Sequence, residues 1–135
     1  MAQTFTTTGL IATDPRLSET SKQDSVLSFR LASVENRFNP DLGKWESGST
    51  NWFTVVCFRQ LATHCSQSLA KGDRIVVRGK LKVRDWDNGE RSGTTVEIEA
   101  DAIGHDLKFG IASIERTTFE PEEDEEDVEA ELQPA

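Results

Sequence analysis

The chain has 135 residues, of which 36% are apolar and 29% charged, with a formal net charge of −9. One ordinary domain is the expected size; no run of about 18 apolar residues is available for a membrane span, and two cysteines are too few for a disulfide scaffold. The opening MAQTFTTTGL has neither the basic start nor the apolar stretch of a secretory signal, so the expectation is a soluble, cytoplasmic protein in a reducing compartment.

Phe5 to Ala12 is Thr-rich and β-branched and reads as a strand that bends at Gly9. Asp14-Pro15 marks a turn, and residues 18–25 are polar and turn-like. Val26 to Val34 alternates as a second strand, with Leu27, Phe29 and Leu31 on one face. Residues 35–51, with Asn39-Pro40, Gly43 and Gly48, read as a long loop of the kind that is usually functional.

Trp52 to Phe58 is a strand that is apolar on both faces. Phe53, Val55 and Cys57 point one way; Trp52, Thr54, Val56 and Phe58 point the other. One face can therefore cover the core while the other is left for a ligand or a partner subunit. Residues 60–70 change to helical spacing, with Leu61, Cys65 and Leu69 at i, i+4 and i+8. Lys71-Gly72 then supplies a basic last turn and a glycine stop.

Arg74 to Trp86 returns to period two. Ile75, Val77, Gly79, Leu81 and Val83 form the apolar face; Arg74, Arg78, Lys80, Lys82, Arg84 and Trp86 share the opposite one. Asn88-Gly89 marks a hairpin tip. Thr94 to Ala102 is the return strand, with Val96, Ile98 and Ala100 inward and Glu97, Glu99 and Asp101 outward, either solvated or paired with nearby bases. Five strands with one helix between the third and fourth fit an all-β, five-stranded OB-fold barrel; a five-strand sandwich is the alternative.

The tail carries the charge. Residues 115–135 hold ten acids and one base, Arg116, so residues 1–114 are neutral. A segment so charged and so poor in apolar residues is expected to be disordered. The division is an OB-fold binding domain over 1–110 and an acidic disordered tail over 111–135.

No chemistry of catalysis is legible. His64 and Cys65 are adjacent on a helix and diverge by about 100°, and no CxxC, HExxH, GxSxG or GxxxxGK[ST] spacing occurs. The expectation is no enzyme, no metal and no cofactor. The strongest signal is the basic face of 74–86. Its cations recur every ~6.6 Å along the strand, close to the repeat of a stretched nucleotide backbone, and Trp86 ends the row. Trp52 and Phe58, followed by Arg59, supply aromatic faces beside it, which is what a single-stranded nucleic-acid platform needs. Alternating cations also occur on solvated edges that resist aggregation. An OB-fold assembly module with weak DNA binding of its own is the alternative function.

Gly9-Leu10 with Asp14-Pro15, FRLAS at 29–33, WFTVVCFRQLA at 52–62, SLAKGDRIVVRGKLKVRDW at 68–86 and TTVEIEADAIG at 94–104 together resemble bacterial single-stranded DNA-binding proteins over residues 1–110. The resemblance implies an OB-fold that assembles as a homotetramer and binds single-stranded DNA without sequence preference in replication, recombination or repair. It implies a nucleoid-associated protein. It implies base stacking at Trp52, Phe58 and Trp86, with a further position at Phe38. It implies phosphate contacts along Arg78, Lys80, Lys82 and Arg84, with Arg59 and Arg74 added. Tails of that family usually close in an acidic tip ending Pro-Phe that docks replication and repair proteins. This chain ends ELQPA, which departs from that tip and fits a secondary paralogue with reduced partner recruitment.

Overall fold

The computed structural model describes residues 3–117. Along the chain run β1 (Gln3–Ile11), β2 (Arg16–Glu19), β3 (Ser25–Asn39), β4 (Lys44–Phe58), α1 (Arg59–Ser68), β5 (Arg74–Asp87) and β6 (Ser92–His105). Residues 106–117 carry no helix or strand. Of the acidic tail expected to be disordered over 111–135, residues 118–135 lie outside those described.

The sheet order is β1-β5-β6-β4-β3-β2, and β1 pairs a second time, with β3. The second pairing makes a closed ring of β1, β5, β6, β4 and β3. These are the five expected strands, with α1 between the third and fourth of them, so the OB-fold expectation holds. All pairs are antiparallel except β4 with β6, which run parallel over Thr54–Val56 and Glu97–Glu99.

Closure depends on β1 serving two neighbours. Its Gln3–Leu10 stretch pairs with β5, and Leu10 and Ile11 pair with Ala32 and Leu31 of β3. The handover occurs beside Gly9. A Cβ there would lie 2.7 Å from the Ala32 carbonyl oxygen and 3.0 Å from Leu31 Cγ. Only a hydrogen in that direction lets the two backbones approach this closely.

The ring encloses Ile11, Leu27, Leu31, Val55, Cys57, Ile75, Val77 and Ile98, all with no exposed surface. They come from the inward parity of their strands. α1 covers one end of the barrel with Ala62 and Cys65, and Leu69 follows. Its N-cap residue Phe58 makes no side-chain cap and its first turn holds no acid, so tertiary packing holds this short helix. The helix ends at Ser68, earlier than expected. Lys71 and Gly72 (φ 96°) belong to the turn after it, not to its last turn. Cys57 and Cys65 are free, buried thiols. Hydrogen bonding to Cys65 and burial push the Cys57 thiol far up, so it stays protonated and behaves as a small core residue.

Two expectations are corrected. The polar stretch after Pro15 contains β2, which pairs with β3 from outside the ring. All four of its residues are exposed, so it has no burial alternation to betray it. The loop expected over 35–51 is mostly strand. β3 and β4 continue past the barrel as a two-stranded arm, and only Pro40–Gly43 turns between them. The arm is solvated on both faces and lacks the apolar period that marks a half-buried strand.

Replacing Gly9 by Ala should destabilise the protein by about 1–3 kcal/mol, because the added methyl meets backbone. Urea unfolding of the variant against the parent chain reads this directly. An unchanged midpoint would contradict the closure described here.

Candidate nucleic-acid interface

The parity that fills the barrel leaves the other side of β3, β4, β6 and β5 as one continuous outer surface. On β4 it presents Trp52, Thr54, Val56 and Phe58, with Trp52 and Phe58 50% and 40% exposed. Register puts Arg30 of β3 opposite Thr54, and Glu97 of β6 on the other side of it. The Arg30 guanidinium sits 5.6 Å from the Trp52 ring centroid and donates from Nη1 to Thr54 Oγ1 at 3.0 Å. It therefore fixes the indole from one side and leaves half of it to solvent.

Glu97, Glu99 and Asp101 of β6 form the next strip, and the cations of β5 form the one after. The carboxylates thus lie between the aromatic strip and the basic track, and they pair with the track. Lys82 Nζ lies 2.6 Å from Glu99 Oε2, Arg78 Nη1 3.4 Å from Asp101 Oδ1, and Arg84 Nε 3.8 Å from Glu97 Oε2. The Lys82 hydrogen bond, with the charges of Lys80 and Arg84, holds the Glu99 carboxyl below its usual range. These pairs are open to water, so each contributes at most a fraction of a kcal/mol to stability. Their larger effect is on the field: three of the five track cations are already neutralised. Among the described residues Lys80 and Arg74 have no carboxylate within 4.0 Å; Arg74 instead lies 4.7 Å over the Phe109 ring.

Trp86 ends the track near the tip of the β5–β6 hairpin and is 45% exposed. Its cross-strand partner is Gly93. A Cβ at Gly93 would lie 2.8 Å from the indole Cζ2 and 2.9 Å from Cε2, so the ring rests directly on the β6 backbone.

The remaining expected residues are more dispersed. Arg59 follows Phe58 into α1 with φ 59°, a left-handed conformation that is uncommon outside glycine. Its guanidinium is turned toward Asp24 at 4.0 Å, and Arg59 lines one shallow cleft with Phe58 and the Glu99 and Asp101 carboxylates of β6. Phe38 stands on the solvated arm, outside the barrel. There it meets Trp45, its direct partner across the two strands, with ring centroids 5.4 Å apart and planes at 56°. Trp45 and Arg30 are the residues that sequence reading missed. Arg30 looks like an ordinary outward strand residue until register puts it against Trp52. Trp45 falls in the stretch read as loop.

The family model described as the single-strand binding protein family matches residues 2–106. Single-stranded DNA-binding protein 2 of Tropheryma whipplei (strain Twist) is 40% identical over 116 residues, covering 86% of this chain and 76% of that one. Single-stranded DNA-binding protein 1 of Streptomyces coelicolor is 45% identical over 109 residues, covering 81% and 69%. The crystal structure of a small single-stranded DNA-binding protein from the same organism superposes with a TM-score of 0.75 at 40% identity, covering 81% of this chain and 98% of that one.

Because Gly93 is the seat of the indole, Gly93→Ala should move Trp86 without unfolding the protein. The Trp86 indole N–H resonance should shift, while stability changes by no more than about 0.5 kcal/mol, as for an ordinary surface substitution. An unmoved resonance would mean the ring does not rest there.

Proposed function

The chain belongs to the single-strand binding protein family, and from that premise we propose that it binds and protects single-stranded DNA on the outer face of the barrel, without base-sequence preference. The observation that carries this is the coexistence on one face of half-exposed Trp52 and Phe58, Trp86 at its rim and the β5 cations. Aromatic rings stack on any base, at ~1–3 kcal/mol each, and cations follow the phosphates. Both interactions ignore sequence. Nothing in this role is a catalytic step: affinity alone protects the strand.

In this reading Trp52, Phe58 and Trp86 stack bases, with Phe38 further along. Lys80 meets phosphate as a free cation. Arg78, Lys82 and Arg84 exchange a carboxylate for a phosphate, so each contributes less than an unpaired lysine. Arg59 acts beside Phe58, and Arg74 at the far end of the track. Residues 1–110 are the binding domain and 111–135 an acidic tail. The ten acids of 115–135 compete with DNA for the same cations. The chain works as a homotetramer in the cytoplasm, associated with the nucleoid. It serves replication, recombination and repair.

A second reading, an assembly module with weak DNA binding of its own, draws support from the β6 carboxylates, which leave the face less positive than the β5 sequence alone suggests. Titration with oligo-dT followed by tryptophan fluorescence separates the two. Strong quenching supports the DNA-binding role; a protein that stays unquenched across the titration supports the assembly role.

Trp52→Ala and Trp86→Ala should each weaken oligo-dT binding by ~1–3 kcal/mol with the fold intact. Normal binding by both would sink the stacking assignment. Lys80→Ala should lower the salt slope of binding by about 0.7, the value of one single-strand phosphate contact. Glu99→Gln should act in the opposite direction and tighten binding, since it releases Lys82 from its partner; equal or weaker binding would mean the ion pair does not compete with DNA. Deleting residues 115–135 should strengthen binding, most at low salt, where screening is weakest. Affinity that is unchanged at every salt concentration would mark the tail as a solubility segment only.

A further inference from the structure

Arg30 stands on the outward parity of β3, directly opposite Thr54 of β4 and diagonal to Trp52. Its neighbours of the same parity, Ser28 and Ala32 on β3 and Trp52, Thr54, Val56 and Phe58 on β4, are all uncharged. Its backbone is held at both polar groups. The amide N–H donates to Thr13 Oγ1 at 2.9 Å, and the carbonyl accepts from the Ala12 N–H at 2.8 Å.

Both groups point away from β4. Arg30 and Thr54 are therefore a non-hydrogen-bonded antiparallel pair, the kind that brings facing side chains closest. That closeness lets Nη1 donate to Thr54 Oγ1 at 3.0 Å while the guanidinium carbon lies 5.6 Å from the Trp52 ring centroid. A half-buried cation at that range is attracted by the quadrupole of the indole, and the attraction grows as water is excluded.

The charge of Arg30 is not spent on a carboxylate. Among the described residues none lies within 4.0 Å of it, whereas Arg78, Lys82 and Arg84 each have one. A guanidinium carries several N–H donors in a fixed fork, so the bond to Thr54 leaves others for a second acceptor.

A base stacked on Trp52 brings its phosphate with it. The β5 track lies two strands from β4, ~10 Å at the usual strand spacing, and the carboxylates of Glu97, Glu99 and Asp101 stand between. β3 lies one strand from β4, ~5 Å. Arg30 is thus the cation beside the aromatic strip, on the side that the carboxylates do not occupy.

We propose that Arg30 belongs to the DNA-binding surface: its guanidinium holds the Trp52 indole in its stacking orientation and meets the phosphate of the nucleotide seated there. The inference rests on the binding reading above and adds to it a cation outside the β5 track. A strand lying along β4 is then flanked by cations on both sides, Arg30 on β3 and the β5 track beyond the carboxylates.

The test compares the full chain with Arg30→Met and Arg30→Gln, which remove the charge, and with Arg30→Lys, which keeps it. Oligo-dT binding is followed by tryptophan fluorescence at several salt concentrations. Loss of one single-strand phosphate contact should lower the salt slope by about 0.7 in both uncharged variants, so that over a fourfold rise in salt the parent loses about 2.6-fold more affinity than either. Arg30→Lys should keep the parent's slope. Arg30→Gln retains a donor for Thr54, so it reads the slope even where Arg30→Met disturbs local packing. Labelling with 5-fluorotryptophan gives one fluorine resonance for each of the three tryptophans. Without DNA, Arg30→Met should shift the Trp52 resonance and leave that of Trp86 in place. A parental slope in both uncharged variants overturns the proposal, as does a Trp52 resonance that stays still; the binding reading then stands, because oligo-dT still quenches the parent chain. A parent chain that oligo-dT leaves unquenched removes the binding reading and the role of Arg30 with it.

Discussion

The barrel exists because one strand is shared. β1 pairs with β5 for most of its length and then with β3 at Leu10 and Ile11, and this double pairing joins the two ends of the ring. Gly9 makes the handover sterically possible. Once the ring closes, every strand has an inside and an outside, and the two-residue period sorts its side chains between them. The apolar parity of β3, β4, β5 and β6 fills the interior. Whatever occupies the other parity is displayed on a rigid surface. The proposed binding surface is therefore made of the parity that folding does not use.

That surface is arranged in strips. Aromatic residues lie on β4, carboxylates on β6 and cations on β5, in the order set by the parallel β4–β6 contact and the antiparallel β5–β6 hairpin. The middle strip holds the β5 side chains through Lys82–Glu99, Arg78–Asp101 and Arg84–Glu97. In water such pairs add little to stability. They do lower the positive charge of the track, which in the proposed role is the charge an incoming phosphate meets. In the proposed role such a surface relies more on stacking and less on net positive charge, in keeping with a chain whose residues 1–114 are neutral.

Much of this was legible in the sequence, for a physical reason. Where a strand covers the core, burial imposes alternation, and WFTVVCF and RIVVRGKLKVRDW show it without ambiguity. The inward and outward sets of β4 and β5 follow at once, as do Trp52, Phe58, Trp86 and the basic track. The outward carboxylates of β6 were readable as partners of nearby bases. Hidden features were those that burial does not mark. β2 is exposed at all four positions, and the arm of β3 and β4 is wet on both faces, so neither leaves a period. The register shift between β3 and β4 at Val34–Asn36 belongs to the two strands together, and no single strand's sequence contains it; with it went the placement of Trp45. The Arg30–Trp52 contact also depends on register, here between β3 and β4.

The central claim is that single-stranded DNA lies on the outer face of β4, β6 and β5. Mapping backbone amide shifts of the isotope-labelled full chain on addition of oligo-dT tests it most directly. The account predicts that the perturbed residues cluster around Trp52, Phe58, Lys80, Lys82 and Trp86, with the β2 strand and the solvent side of α1 little changed. Perturbations gathered on β2 and α1, with the outer face silent, would contradict it.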